Sequence, residues 1–385
     1  MSKTIVILVV SLFFFSFLAS TGVADYTVVK SISPSPYYDS KPSVWGNNVV
    51  WRRANNQNEN SYIELREPSW IMVHNLYSGN TYNITQENGI IRDTVYHHAE
   101  APDIWNGKII YEAQINGNSA DTELFMYNIS TKDTWCIPIK STQWAHGHLH
   151  AIYGDWITYT HVENRKRQTY LYNYEADISR TVLSKSEPYS TYGFTMSENY
   201  VVLTVLNNTN GFEIWIYNIP TTDITKLNYS AEKIIATSIN NNEVGLSINE
   251  TIDNVTQWNT YTYNIQTEEY SMVQPHSYGL LLSDEQTVYE NDGKIHINSI
   301  TLGQTVLTSG QIQYLGDIHG NTVVWMDNTN SMVQRGDARD NFDIYVRDVI
   351  TTKEIILDSM WIVIPIIILI VVGVLIHKER MRGQG

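Results

Sequence analysis

The chain has 385 residues, 43% of them hydrophobic and 12% aromatic, with a formal net charge of -15 at pH 7 and one cysteine. That charge argues against nucleic acid or anionic lipid as a partner of the folded part, and Cys136 alone excludes a disulfide within the chain. The folded part must therefore stand on its core, which a length of about 330 residues is enough to bury.

Residues 1–24 read as a secretory signal peptide. Lys3 opens the segment, an apolar run follows as far as Ala19, and Gly22 and Ala24 supply small residues near a cleavage point. The rival reading, an uncleaved anchor helix, suffers from a run that is short for ~30 Å of hydrocarbon.

From residue 25 onward one phrase recurs. It reads "KPSVWGNNVVWRR" at 41–53, "APDIWNGKIIYEA" at 101–113, "LHAIYGDWITYTH" at 149–161 and "GDIHGNTVVWMDN" at 316–328. Each is two short strands joined by a turn rich in Gly, Asn and Asp. Three weaker copies, "FTMSENYVVLTV" (194–205), "SINNNEVGLSI" (238–248) and "LLLSDEQTVYE" (280–290), lack the aromatic residue before the turn. After every copy comes a second phrase such as "ELFMYNISTKDTWCI" (123–137) or "EIWIYNIPTTDITKL" (213–227). Seven units of four strands result, spaced from 60 residues (Trp45 to Trp105) down to 36 (Ser283 to His319). Units of about 40 to 45 residues with four strands each are the pattern of propeller blades. The fold class is therefore all-β, a seven-bladed β-propeller over residues 25–358, with six or eight blades as the neighbouring counts.

In the second phrase Asn75, Asn128, Asn173, Asn218, Asn264 and Asn298, with Asp348 in the last copy, fall at equivalent places. Asn and Asp there serve turns, because their side chains bond the backbone two residues on. Closure of the ring has two solutions. Either "YTVVKSIS" (26–33) supplies the outer strand of the last blade, or "KEIIL" (353–357) keeps that place.

The phrases "IYGDWITY", "IHGNTVVW" and "FDIYVRDVITTKE" resemble the repeats of TolB-like propellers and, more closely, those of archaeal cell-surface proteins. The resemblance covers nearly all of the part between the two ends. It implies a binding platform in the cell envelope.

Candidate site residues cluster just ahead of the innermost strands. "WAHGHLHAIYG" places His146, His148 and His150 at alternating positions, and His98 and His276 align with His146. Glu100, Tyr192, Tyr278 and Tyr314 align with His148. A propeller gathers such positions around its channel mouth, where they bind a ligand or a zinc, copper or nickel ion, or simply line a wet channel. No cofactor is called for beyond that possible metal ion. Asp103, Glu100 and Asp317 near the channel ends keep two-carboxylate hydrolysis open. No G-x-S-x-G, H-E-x-x-H or Gly-rich phosphate loop occurs, so the expectation is a non-enzymatic protein. The alternative is a metal-dependent binder or hydrolase.

Asn83, Asn128, Asn207, Asn228, Asn249 and Asn254 each open an N-x-[ST] sequon, as export would allow. Residues 360–376 form an uninterrupted apolar stretch with Trp361 at one edge, and residues 377–385 carry Lys378, Arg380 and Arg382. That layout predicts a transmembrane helix with a cytoplasmic tail. The chain is then a single-pass protein of the cell membrane with its N-terminal domain outside, and its partner is a cell-envelope protein or a glycan.

Overall fold

Alternation along a strand gives it two faces, and in a blade both faces have neighbours to pack against. The computed structural model describes residues 28–34, 37–54, 69–87, 99–114, 122–138, 150–163, 166–186, 190–207, 211–229, 231, 233–252, 254–284, 286–299, 303–307, 313–327, 342–348 and 373. They belong to two units, residues 29–347 and the joined ends 1–28 and 348–385. The signal-peptide segment and the cytoplasmic tail lie outside the described residues, as does the apolar stretch 360–376 apart from Gly373. Among the described residues no helix is long and apolar enough to cross a membrane.

Residues 29–347 form a propeller of seven four-stranded sheets. The innermost strands are Tyr38–Trp45, Ala99–Trp105, His150–Tyr153, Ser190–Met196, Lys233–Asn240, Ser277–Leu282 and Gln313–His319. The weak units four, five and six are thus complete blades. In blade seven the order from the inside is Gln313–His319, Thr322–Asp327 and Asp343–Asp348, and the outer place is taken by Val28–Ser31. Two bonds extend this closure: Ile32 N donates to Ile344 O at 2.9 Å, and Ile344 N donates to Ser33 Oγ at 2.7 Å. The ring is therefore closed by its N-terminal strand, and residues 353–357 lie outside the described residues.

The core is divided among the seams between blades. Val50, Ile71 and Val73 of blade one meet Ile104, Ile109 and Tyr111 of blade two. On the other side of blade one, Val49 and Trp51 meet Val324 and Ile344 of blade seven. Blades four and five share Val202, Ile216, Val244 and Leu246 in the same way. Each such side chain contributes roughly 1.5–3 kcal/mol by leaving water.

Five of the seven equivalent Asn/Asp positions build the expected turns. Asn75, Asn128, Asn173, Asn218 and Asn264 accept from the amides of Ser78, Ser130, Ala176, Thr221 and Gln266 at 2.7–3.0 Å. Four residues further on, Gly79, Lys132, Asp177, Thr222 and Glu268 all have φ between 54° and 72°. Asn298 departs from the set. Gln286 opens the second strand of blade six and pairs with Ser299, so Ser299 holds the equivalent place and Asn298 stays inside its strand.

The innermost strand of each blade is a sheet edge, and its free amides need acceptors. The neighbouring blade supplies them. Asp317 Oδ2 accepts from Val44 N at 3.0 Å, and Asp103 Oδ2 accepts from Ile152 N at 2.9 Å. Thr204 Oγ1 accepts from Ala236 N at 3.0 Å, and Ser247 Oγ from Gly279 N at 2.8 Å. Ser43 Oγ lies 3.0 Å from Asp103 Oδ1 and 2.8 Å from Asp317 Oδ2, which links blades seven, one and two. Its single proton serves one carboxylate at a time, so the second contact favours a proton on the other carboxyl. Burial, and then the charge of Asp103, raises Asp317 to about 6. Burial also raises Asp103. Blade seven sits close enough here that a Cβ on Gly316 would come within 2.4 Å of Pro42 Cγ.

Two predictions follow from these turns and seams. Thr222 is β-branched at φ 65°, so Thr222→Gly is expected to raise stability by about 1 kcal/mol, measured as a higher urea midpoint at unchanged slope. A carboxyl whose folded pKa lies above its unfolded value stabilises most below the unfolded pKa and loses that contribution as pH rises through the folded one. Relative to Asp317→Asn, the wild-type chain should lose up to about 2 kcal/mol between about pH 4 and pH 7, read from paired denaturation curves. Parallel curves for the two proteins would contradict this.

Candidate binding site at the channel mouth

The seven innermost strands surround a cavity of about 860 Å³. Asp103 and Asp317 form part of its wall, but both carboxyl groups are engaged by the seam bonds and by their own following amides, Ile104 N at 2.9 Å and Ile318 N at 2.8 Å. They act as acceptors that hold backbone in place.

At the hairpin end of the cavity, the residues that open the first hairpin of each blade hold equivalent places around the ring. In blades seven, one, two and three these residues are His319, Trp45, Trp105 and Tyr153. Their ring centroids are 3.7 Å (His319 to Trp45), 3.6 Å (Trp45 to Trp105) and 3.6 Å (Trp105 to Tyr153) apart. The ring planes are inclined to one another by 46°, 46° and 36°, so the rings lean against each other without lying parallel. They form one tilted row over four blades. In blades four, five and six the corresponding residues are Ser197, Asn240 and Ser283, small or polar, and the row is interrupted.

Charges around this gap are negative. Asn240 Nδ2 donates to Asp284 Oδ1 at 3.1 Å. Burial pushes the Tyr153 phenol up, and the charges of Glu198 and Asp284 push it further. Burial pushes His319 down, against the pull of Asp284. Asp284 thus acts on both ends of the row. Gly46 N donates to His319 Nδ1 at 3.1 Å, so the neutral ring carries its proton on Nε2.

The positions singled out in the sequence are distributed unevenly. His150 lines the cavity; its side chain is 1% exposed, Nδ1 lies 3.7 Å from Glu112 Oε1, and neither ring nitrogen makes a hydrogen bond. His276 is exposed at φ 54° and donates its amide to Asn259 Oδ1, away from the cavity lining. Tyr278 and Tyr314 are exposed near the start of their strands, opposite the hairpin end. Tyr278 packs edge-on against Trp258, and Tyr314 lies tilted at 55° against Phe342. Tyr278 also lines a second cavity, of about 360 Å³, with Phe212 and Lys233. Glu100 and Tyr192 stand in their innermost strands, at the places equivalent to Tyr314 and Tyr278. His98, His146 and His148 lie outside the described residues. Among the described residues no group of three or more His, Cys, Asp or Glu side chains is placed to hold a metal ion.

The sequence reading missed the row of rings and its gap, although the signal was present: the aromatic before the turn occurs in units one, two and three and is absent from units four to six. Of the sequon residues, Asn228 and Asn254 are exposed. Asn83 and Asn128 hold turns through Oδ1, Asn207 Nδ2 donates to Glu213 at 3.3 Å, and Asn249 pairs with Trp258 inside a sheet.

No family model matches the chain, and no curated protein matches it in sequence. Solved structures match it in fold. The β-propeller domain of the Trilobed protease from Pyrococcus furiosus, which has an open velcro topology, is 12% identical over 83% of this chain and 97% of its own, with a TM-score of 0.58. The acylaminoacyl peptidase of Pyrococcus horikoshii is 12% identical over 84% of this chain, with a TM-score of 0.57, and the match spans 54% of that enzyme. TolB from Acinetobacter baumannii is 11% identical over 74% of this chain and 61% of its own, with a TM-score of 0.43. At these identities the first two likenesses are of fold alone, that of a propeller like those built into peptidases.

Proposed function

We propose that this propeller is a non-enzymatic binding platform whose contact surface is the hairpin end of the central channel. The observation that carries the reading is the interrupted row of rings, which opens aromatic and polar groups to one side of a large cavity. The engagement of Asp103 and Asp317 by backbone amides supports binding over hydrolysis, because neither carboxyl is left to act on a substrate as acid or nucleophile.

The platform works at the cell surface. Export by residues 1–24 and anchoring by the apolar stretch 360–376 put the propeller outside the membrane, where exposed Asn228 and Asn254 accept glycans. Its partner is a cell-envelope protein or a glycan. The peptidase propellers are parts of longer chains, so their activities stay with those enzymes.

A photo-crosslinking residue placed at Asn241, exposed on the cavity wall, is compared in native membranes with one at Thr225, exposed on an outer strand. The mouth probe is expected to give a discrete adduct and the outer probe none. Adducts from the outer probe alone would move the contact to the blade rims and overturn this reading.

A further inference from the structure

The row of rings ends in Tyr153 and His319, tilted against Trp105 and Trp45. Both end rings are half-buried and line the cavity, in the blades on either side of the three where the row is interrupted. Aromatic faces carry the negative part of the ring quadrupole, so both borders of the gap favour positive charge.

The groups inside and beside the gap agree. Asp284 is exposed, lines the cavity and acts on Tyr153 and His319 alike, and Glu198 adds a second carboxylate near Tyr153. Lys41 is the one lysine or arginine among the described residues that line the cavity. His150, at the start of the innermost strand of blade three, also lines the cavity, and its buried ring nitrogens make no hydrogen bond.

We propose that the gap between Tyr153 and His319 receives an alkylammonium or guanidinium group. It rests between the two rings and is paired with Asp284. A cation held over an aromatic face and next to a carboxylate gains from both. A neutral sugar would use the ring faces but would leave the facing carboxylates without a counter-charge. The shared chemistry has two sources, a free polyamine and the Lys or Arg side chains of an envelope protein. This inference rests on the mouth being the contact surface.

The test uses the full chain in detergent micelles, titrated by calorimetry with spermidine, hexalysine peptide and maltohexaose, for the wild type, Asp284→Asn and Tyr153→Leu. The amines should bind saturably, weaken at least about fivefold in Asp284→Asn, and weaken again when salt is raised to about 0.5 M. Maltohexaose should not bind. Asp284→Asn changes an exposed side chain and keeps the fold, so loss of binding there reads the site itself. Hexalysine binding more tightly than spermidine would assign the site to a basic protein segment, and the reverse order to free polyamines. Amine binding that is equal in all three proteins, or no amine binding, would overturn the proposal. Maltohexaose binding that is lost in Tyr153→Leu, without amine binding, would overturn the cation and leave the mouth as the contact surface. The crosslinking outcome at Asn241 reports on that surface independently.

Discussion

Every blade presents an innermost strand whose outward amides have no partner in its own sheet, and those amides set the terms for the whole ring. A buried amide without an acceptor costs about 1–3 kcal/mol. At four seams among the described residues the preceding blade meets that demand with a side chain: Asp317 for Val44, Asp103 for Ile152, Thr204 for Ala236 and Ser247 for Gly279. The seams are therefore directional as well as apolar. Valine and isoleucine faces bring the sheets together, and the polar side chains fix how far each is turned against the next. Ser43 ties blades seven, one and two at their inner edges, while Val28–Ser31 closes blade seven at its outer edge.

Holding the innermost strands in register also sets the residues that open their hairpins in a row. Four of the seven are aromatic and lean on one another in a tilted row, and three are not. The same backbone that is nearly seven-fold symmetric thus carries an asymmetric mouth. An aromatic row on one side faces Asn240, Ser283 and Asp284 on the other. The break leaves Tyr153 and His319, both half-buried, as the ends of the row, with exposed Asp284 lining the same cavity.

Much of this architecture is legible in the sequence. The recurring phrase around Trp45, Trp105 and Tyr153 fixes hairpins and blades, and the Asn positions locate the second turns, because both depend on interactions a few residues apart. What the sequence hides depends on the distance between blades. Asp103 and Asp317 are visible only as acids near channel ends, and nothing local tells that they cap amides 49 and 273 residues away. Tyr278 and Tyr314 align with candidate channel positions, yet alignment fixes a place along the strand and not the side to which a ring is packed. The weak units four to six look like decayed repeats, whereas in three dimensions their missing aromatics are the gap. Asn298 misleads by one residue, because Gln286 pairs with Ser299.

Amide hydrogen exchange on the full chain reads out whether side chains of one blade hold the inner-edge amides of the next. Val44 and Ile152 amides are predicted to exchange as slowly as amides paired inside the sheets. Val44 alone should speed up in Asp317→Ala, and Ile152 alone in Asp103→Ala. Exchange at both amides as fast as at the exposed turn residues Asn47 and Asp155, or unchanged by either substitution, would contradict the account.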